Sequence, residues 1–340
     1  MAVVIQRSPS SPAEGGCLAA ERRRCAAATT MLDDDMARIG SVESYQRLRK
    51  IGEGAFGAVS KAQHLGTGAV VAIKSSRGSG GAAAALLVRE AALLAACRGN
   101  PAVVRLLEVV RGSGMDDVDD GALHLVLEYI GPSLDDVIRR RRGIPFAESE
   151  ARRAMAQLLA GVGSMHADGI VHCDLKPGNV LVGGEHDRRR LKICDLGLAR
   201  SAAAAPPPDE QRVDGTVGYI APEVLLREKD CGGAPAVDMW ALGCIMAELV
   251  TGRPLFPEED LCRQLISIID LLGIPDDVSL MPLGIDAGAP SKLRGEVPEE
   301  RLSPAGFDVL RGLLQYDPKD RLTAAAALRM PWFAFAPMDD

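Results

Sequence analysis

The stretch IVHCDLKPGNVLV, residues 170–182, decides the fold of this chain, because it gathers three chemically complementary side chains. Asp174 can accept a hydroxyl proton, Lys176 can neutralise a migrating phosphoryl group, and Asn179 can hold a metal ion. The stretch ICDLGLAR, residues 193–200, then supplies Asp195, a second hard oxygen ligand suited to magnesium. Phosphoryl transfer requires mainly such positioned counter-charge. The sequence therefore predicts a phosphoryl-transfer site.

Upstream, GEGAFGAV (residues 52–59) places glycines in G-x-G-x-x-G-x-V order. Glycines let backbone amides approach a phosphate chain without a side chain in the way. A dinucleotide-binding turn would open a helix directly, whereas here a second strand, a tight turn and a third strand follow. The context therefore argues against a dehydrogenase.

The third strand, VVAIKSS (residues 70–76), carries Lys74 among apolar residues. A buried ammonium group is costly unless it is paired, and the following helix offers Glu90. We expect a Lys74–Glu90 ion pair directed at phosphates; the alternative is a surface lysine that extends along apolar residues.

Composition limits the other classes of function. The chain has 340 residues, with 39 basic and 46 acidic side chains, which disfavours nucleic acid as a main partner. No uncharged apolar run approaches the roughly 18 residues that a membrane span requires. The eight cysteines are scattered without a CxxC pair, so we expect free thiols and a cytoplasmic or nuclear location.

The organisation of the chain predicts an α+β fold with two lobes. Residues 1–44 have a disordered-tail composition, and alternating apolar residues then predict strands with one Ala- and Leu-rich helix at 82–99. After that helix, VVRLLEVV (103–110) is predicted to be a strand again. After residue 131 the apolar spacing becomes helical. The predicted domain covers 45–333, with a small lobe at about 45–130, a large lobe at about 131–333 and a short tail at 334–340.

These motifs, in this order, resemble the protein kinases over roughly residues 47–333. GTVGYIAPEVLL (215–226) resembles the end of the family's activation segment, and WALGCIMAELVTGRPLFPEED (240–260) resembles the cyclin-dependent kinases. The resemblance implies the bilobal kinase fold, ATP and Mg²⁺ as cofactors, and protein serine/threonine substrates.

The resemblance also implies roles for particular residues. Asp174 and Lys176 are the catalytic pair, and Asn179 and Asp195 hold the metal. Structural positions in and around the activation segment are Thr216, Glu223, Asp238 and Arg321. Nucleotide binding is assigned to Ile51, Gly52, Glu53, Gly54, Ala55, Phe56, Gly57, Ala58, Val59, Ala72, Lys74, Glu90, Glu128, Ile130 and Leu181, with Leu127 as the gatekeeper.

Several switch positions of the family differ here. Cys173 replaces the arginine that normally binds a phosphorylated residue of the activation segment, and Gln211 stands where the cyclin-dependent kinases have their activating threonine. At the two positions where the cyclin-dependent kinases have their inhibitory Thr-Tyr pair, this chain has Ala55 and Phe56. We expect an active kinase that does not need phosphorylation of this segment; the alternative is a catalytically silent pseudokinase that acts as a scaffold.

Two further features concern regulatory partners and nuclear localisation. The cyclin-contacting helix motif is replaced by AAALLVRE (83–90), so the helix at 83–97 is either a site for a cyclin or another regulatory protein, or a helix packed on both sides. The run RRRR (139–142) is interpreted as a solvated helix end rather than a nuclear address.

Overall fold

The structure is a computed structural model, and it describes most of the chain in eight segments. These segments are 39–54, 57–76, 81–112, 122–183, 190–201, 213–226, 234–273 and 290–334. The predictions for Ala55, Phe56 and Gln211 therefore lie outside the described residues.

The amino-terminal half forms a six-stranded sheet with one main helix. The strands are β1 (Gly40–Ser41), β2 (Tyr45–Gly54), β3 (Gly57–His64), β4 (Val70–Ser76), β5 (Leu106–Gly112) and β6 (Ala122–Glu128), in the spatial order β1-β5-β6-β4-β3-β2. Helix α1 (Gly81–Ala96) follows β4. The central strand β4 is buried along most of its length, which suits its β-branched and small apolar residues.

The folded part begins before residue 45, which corrects the predicted tail of residues 1–44. Gly40 pairs with Val110 in a parallel ladder, and Val42 in the following 3₁₀ turn is buried against the sheet. A two-residue strand is too short to show a period of two, so composition alone could not reveal it.

The start of β5 also differs from the prediction. Val103 and Val104 were expected to belong to the strand, but they form a buried connection to the second lobe. The N–H of Val104 donates to the Ile193 carbonyl at 2.8 Å, and Ile193 donates to Ala102 at 2.6 Å. These two bonds form an isolated parallel bridge between Val103 and Ile193, so the apolar pair joins the second lobe instead of extending β5.

The carboxy-terminal half is mainly helical. Its helices are α2 (Leu134–Arg140), α3 (Glu148–Ala167), α4 (Pro222–Leu225), α5 (Ala236–Thr251), α6 (Leu261–Leu272), α7 (Leu293–Glu296), α8 (Pro304–Leu313), α9 (Ala324–Leu328) and α10 (Pro331–Ala334). Helix α5 is buried from Val237 to Val250, consistent with its apolar residues on every side. None of the helices in the described part of the chain is both long and apolar enough to cross a membrane.

Two small antiparallel sheets lie in the second lobe. Strand β8 (Val180–Val182) pairs with β9 (Leu191–Ile193), and β7 (Ile170–Val171) pairs with β10 (Arg200–Ser201). The predicted α+β architecture, with a sheet-rich first part and a helical second part, is confirmed. The loops that flank these short strands carry the groups described next.

Candidate active site

Lys74 is the charged centre of the first lobe. It lies in β4 opposite Val59 of β3, and its side chain is almost fully buried. The ammonium group donates to both carboxylate oxygens of Glu90 at 2.7 Å and to Oδ1 of Asp195 at 2.6 Å. The side chain is thus paired rather than extended along the surface. It links the sheet, helix α1 and the segment after β9.

The charges in this cluster do not balance, because one ammonium group faces two carboxylates. Burial disfavours the charged form of Lys74, but Asp195 and Glu90 outweigh this effect and raise its pKa. Burial also raises the pKa of Glu90. For Asp195 burial is the largest influence and raises the pKa, but the charge and hydrogen bond of Lys74, with His172 and the Gly197 N–H, together lower it. The excess negative charge makes this cluster a favourable place for a further cation.

Asp174 and Lys176 form a second cluster with a residue of the activation segment. The ammonium group of Lys176 donates to Oδ2 of Asp174 at 2.9 Å and to Oγ1 of Thr216 at 2.5 Å. The Thr216 hydroxyl donates to Oδ1 of Asp174 at 2.6 Å. Thr216 therefore joins the end of the activation segment to the two groups that the sequence assigned to catalysis.

Asn179 connects the two clusters. Its Nδ2 donates to the carbonyl and to Oδ2 of Asp174, at 2.8 and 3.1 Å. The N–H of Cys194 donates to the Asn179 carbonyl at 2.9 Å. Because Asn179 immediately precedes β8 and Asp195 closely follows β9, the β8–β9 hairpin brings these two side chains to the same end.

Asp238 in α5 supports the loop that carries Asp174. This carboxylate is buried and accepts from the backbone N–H groups of His172 and Cys173, at 2.8 and 2.9 Å. Cys173 has a φ of 64°, and a non-glycine residue in this left-handed conformation costs about 1–3 kcal/mol. The two hydrogen bonds to Asp238 hold the strained turn in place.

The side chain at position 173 is a thiol, so it offers no positive charge to a phosphate, as the family's arginine would. Burial, followed by the nearby charge of Asp238, raises the pKa of its thiol, which keeps the group neutral. Instead, the guanidinium group of Arg200 pairs with the carboxylate of Asp214, and Arg89 of α1 donates to the Ala199 carbonyl. These contacts join the start of the activation segment to its end and to the first lobe.

The end of the activation segment is anchored to the core by a buried ion pair. Arg321 donates to both carboxylate oxygens of Glu223, at 2.7 and 2.9 Å, and both side chains are essentially inaccessible to solvent. Arg321 also donates to three backbone carbonyls, which belong to Gln315, Tyr316 and Ala236.

The predicted nucleotide-binding residues lie on both lobes. Ile51, Gly52, Glu53 and Gly54 are on β2, and Gly57, Ala58 and Val59 are on β3; Ala72 is on β4, Glu128 ends β6, Ile130 follows it, and Leu181 is on β8. Gly57 has a φ of 141°, and a Cβ there would lie 1.9 Å from the Ser75 carbonyl oxygen, so only glycine fits. The Glu128 side chain accepts from the N–H of Arg105.

The donor set fits Mg²⁺ that is bound together with a phosphate chain. Among the described residues, no group of three or more His, Cys, Asp or Glu side chains could hold a metal ion alone. Mg²⁺ commonly uses one or two protein carboxylates together with substrate phosphates. Asp195 supplies a carboxylate, and Asn179 uses its amide nitrogen for the bonds to Asp174, which leaves its amide oxygen as the donor for a cation.

The structure also brings in two polar residues that the sequence reasoning overlooked. Asp214 is one of them. Its position two residues before Thr216 was the only feature of the sequence that could have indicated its role. Gln264 of α6 is the other: it is fully buried, accepts from the N–H of Gly218 at 2.9 Å and donates to the Ile220 carbonyl at 2.7 Å. Its position on the same side of α6 as the apolar Ile268 and Leu271 could have indicated it.

Comparisons with known proteins agree with this geometry. Residues 45–333 match the protein kinase domain family. Putative cyclin-dependent kinase F-2 of Oryza sativa subsp. japonica is 46% identical over 311 residues, covering 87% of this chain and 91% of the relative. Cyclin-dependent kinase B2-1 of Arabidopsis thaliana is 35% identical over 89% of this chain and 97% of its own length. Cyclin-dependent kinase G-2 of Oryza sativa subsp. indica is 36% identical, and the match covers 88% of this chain but 42% of that protein.

Proposed function

This chain belongs to the protein kinase family, as a serine/threonine kinase of the cyclin-dependent type, and we propose that it transfers phosphate without phosphorylation of its activation segment. Its family implies ATP as the phosphate donor and proteins as the acceptors. The observation that carries the proposal is the joined arrangement of Lys74, Glu90 and Asp195 with Asp174, Lys176 and Thr216. Residues from both lobes and from the activation segment are thus already in contact.

Each charged group has a separate task in this proposal. Asp174 accepts a hydrogen bond from the serine or threonine hydroxyl of the substrate and takes its proton as the oxygen bonds to phosphorus. Lys176 stabilises the charge on the transferring phosphoryl group, while the bond to the ADP oxygen breaks. Lys74, held by Glu90, keeps the nucleotide phosphates in position. Preorganised charges of this kind stabilise the transition state without reorganising during the reaction.

Asn179 and Asp195 would hold Mg²⁺. The ion supplies positive charge that offsets the negative charge of the phosphates. Two features support this assignment: two carboxylates, those of Glu90 and Asp195, face the single ammonium group of Lys74, and two hydrogen bonds to Asp174 orient Asn179. The β8–β9 hairpin keeps both side chains next to the catalytic loop.

The Arg200–Asp214 ion pair supports independence from phosphorylation. In the family, a phosphate on the activation segment normally meets the arginine that Cys173 replaces. Here the carboxylate of Asp214, three residues after Gln211, meets Arg200, so the segment carries a permanent negative charge of its own. With Thr216 already bonded to Asp174 and Lys176, the segment needs no modification to reach the catalytic groups.

The decisive experiment removes phosphate before activity is measured. The chain is expressed in bacteria, treated with a phosphatase, checked by mass spectrometry, and assayed for ATP-dependent labelling of a generic serine/threonine substrate. We expect labelling above an Asp174→Ala control. Labelling equal to that control, with or without added partners, would instead support the pseudokinase alternative.

A regulatory partner is proposed for the outer side of α1. Ala85 and Leu86 are exposed there, and Leu86 retains 51% of its accessible surface. Exposed aliphatic residues next to Glu90 offer a surface through which a cyclin or a similar protein would stabilise the Lys74–Glu90 pair. Adding candidate cyclins to the labelling assay tests this: stimulation of wild type but not of a Leu86→Glu variant is the expected result.

A further inference from the structure

A groove on the second lobe lies outside the catalytic site. It runs between α2 and α3, reaches β8 at one end, and has a volume of about 760 Å³. This volume is within the roughly 300–1,000 Å³ that is typical of sites for small ligands.

The floor of the groove is apolar and firmly supported. Leu134, Leu191 and Leu249 line it and are almost completely buried, so they form a fixed base. Val137 and Phe146 are only partly buried and present apolar surface above that base. Such a surface can accept the aliphatic side chain of a ligand.

The rim of the groove is basic. Arg140, Arg141 and Arg153 line it, and Glu150 is the single acidic side chain among the described residues of the lining. Arg141 is occupied within the fold, because it donates to the Ile144 and Pro145 carbonyls and lies 4.2 Å from the centre of the Phe146 ring.

Arg140 and Arg153 differ from Arg141. Both side chains are exposed, and within the described contacts neither guanidinium group has a hydrogen-bond or ion-pair partner. They are on different helices, so a ligand that engages both must lie across the apolar floor. The RRRR run is mostly exposed at the end of α2, as the prediction of a solvated helix end requires, and Arg140 and Arg141 of this run also line the groove.

We propose that this groove binds an extended acidic peptide segment of a partner protein, with an aliphatic side chain on the floor and carboxylates on Arg140 and Arg153. Charge complementarity carries the choice of ligand. Guanidinium groups bind carboxylates in a planar, two-bonded geometry, and an aliphatic residue between acidic ones matches the alternation of rim and floor.

A nucleic acid fits this groove less well. Nucleic-acid affinity comes mainly from phosphate contacts, about six to ten of them in a representative case. Among the described residues of the groove, two arginines are without a partner. The chain as a whole also has a net charge of −7. Binding at this site would thus position a partner protein by local charge and shape.

The test measures binding directly and does not depend on kinase activity. The probe is a fluorescein-labelled 12-residue peptide that is about a third glutamate and contains two leucines. The control peptide has lysine in place of each glutamate. Binding of each peptide to the full chain is measured by fluorescence anisotropy. We expect saturable binding of the glutamate peptide only. An Arg140→Glu/Arg153→Glu variant should weaken it by about tenfold or more, since hydrogen bonds to charged groups are lost.

The control variant is Arg301→Glu/Arg329→Glu, which changes the net charge equally at two exposed arginines away from the groove. It should bind like wild type, and thermal unfolding should be the same for all three proteins. Equal weakening by both double variants, or an unlabelled oligonucleotide that binds with the same dependence on Arg140 and Arg153, would overturn the proposal.

The chain contains its own acidic and apolar segment, MLDDDM, at residues 31–36. A variant with Asp33→Asn, Asp34→Asn and Asp35→Asn serves as a second reference. If the probe binds this variant but not wild type, the occupant is this segment rather than a partner protein, and the proposal of a partner is refuted. If the probe binds neither protein, the groove is not a site for acidic peptides.

Discussion

The Arg200–Asp214 ion pair gives the sharpest prediction, because it replaces an added phosphate in the proposed activation. Asp214→Asn keeps the shape of the side chain and removes its charge. A hydrogen bond between charged groups stabilises by about 1.5–3 kcal/mol. Both side chains are 19% exposed, so solvent screening reduces this to about 1–2 kcal/mol.

A loss of about 1–2 kcal/mol changes an equilibrium by roughly 5- to 30-fold. The affected equilibrium is between a segment with Thr216 on Asp174 and Lys176 and a segment that has left them. We therefore expect kcat of the phosphatase-treated Asp214→Asn variant to fall by up to about 5- to 30-fold. Initial rates at saturating ATP and substrate measure this value.

The matched control is Asp308→Asn, which removes a carboxylate from an exposed pair with Arg311 in α8. It should leave kcat unchanged, because such exposed pairs contribute little and this one lies outside the catalytic site. The exchange variant Arg200→Asp/Asp214→Arg should regain part of the lost activity. If Asp214→Asn retains the kcat of Asp308→Asn, the pair does not hold the segment, and the proposed replacement of phosphate is wrong.

Three further predictions concern stability and substrate binding. Arg321→Leu should lower the unfolding free energy by about 3–5 kcal/mol, because it leaves the Glu223 carboxylate buried and unpaired. In urea titrations the double variant Arg321→Leu/Glu223→Leu should lose less unfolding free energy than the single variant, and equal losses would show that the two side chains do not depend on each other. Gln264→Leu should raise KM for a protein substrate more than it lowers kcat, because the N–H of Gly218 and the carbonyl of Ile220 lose their hydrogen-bond partner. An unchanged KM would show that this contact does not shape the substrate site. Burial raises the pKa of Asp195, but Lys74, His172 and the Gly197 N–H together lower it below its ordinary value of 3.8. This carboxylate therefore stabilises the fold fully above pH 3.8, and the stabilisation is lost as the pH falls through the lower folded pKa. The destabilisation by Lys74→Met, measured by urea titration, should be smaller at pH 3 than at pH 7, and a larger one at pH 3 would contradict this sign.

Much of the fold could be predicted because its signals are local. The strand that carries Lys74 and the helix that carries Glu90 follow directly from periodicity and composition. The prediction was wrong where an element was very short, as at Gly40–Ser41, and where an apolar residue pairs with the second lobe instead of extending its strand, as at Val103. In both places contacts with distant residues, rather than neighbours in sequence, determine the backbone.

The sequence by itself determined which chemical groups this protein has for phosphoryl transfer, since Asp174, Lys176 and Asp195 lie in short ordered motifs whose residue types define their chemistry. Only the tertiary structure decided which partners these groups have. The Arg200–Asp214 pair and the groove between α2 and α3 join residues from separate elements. Hydrophobic pattern specifies which side of an element is buried, but it does not specify which charge on another element will meet it.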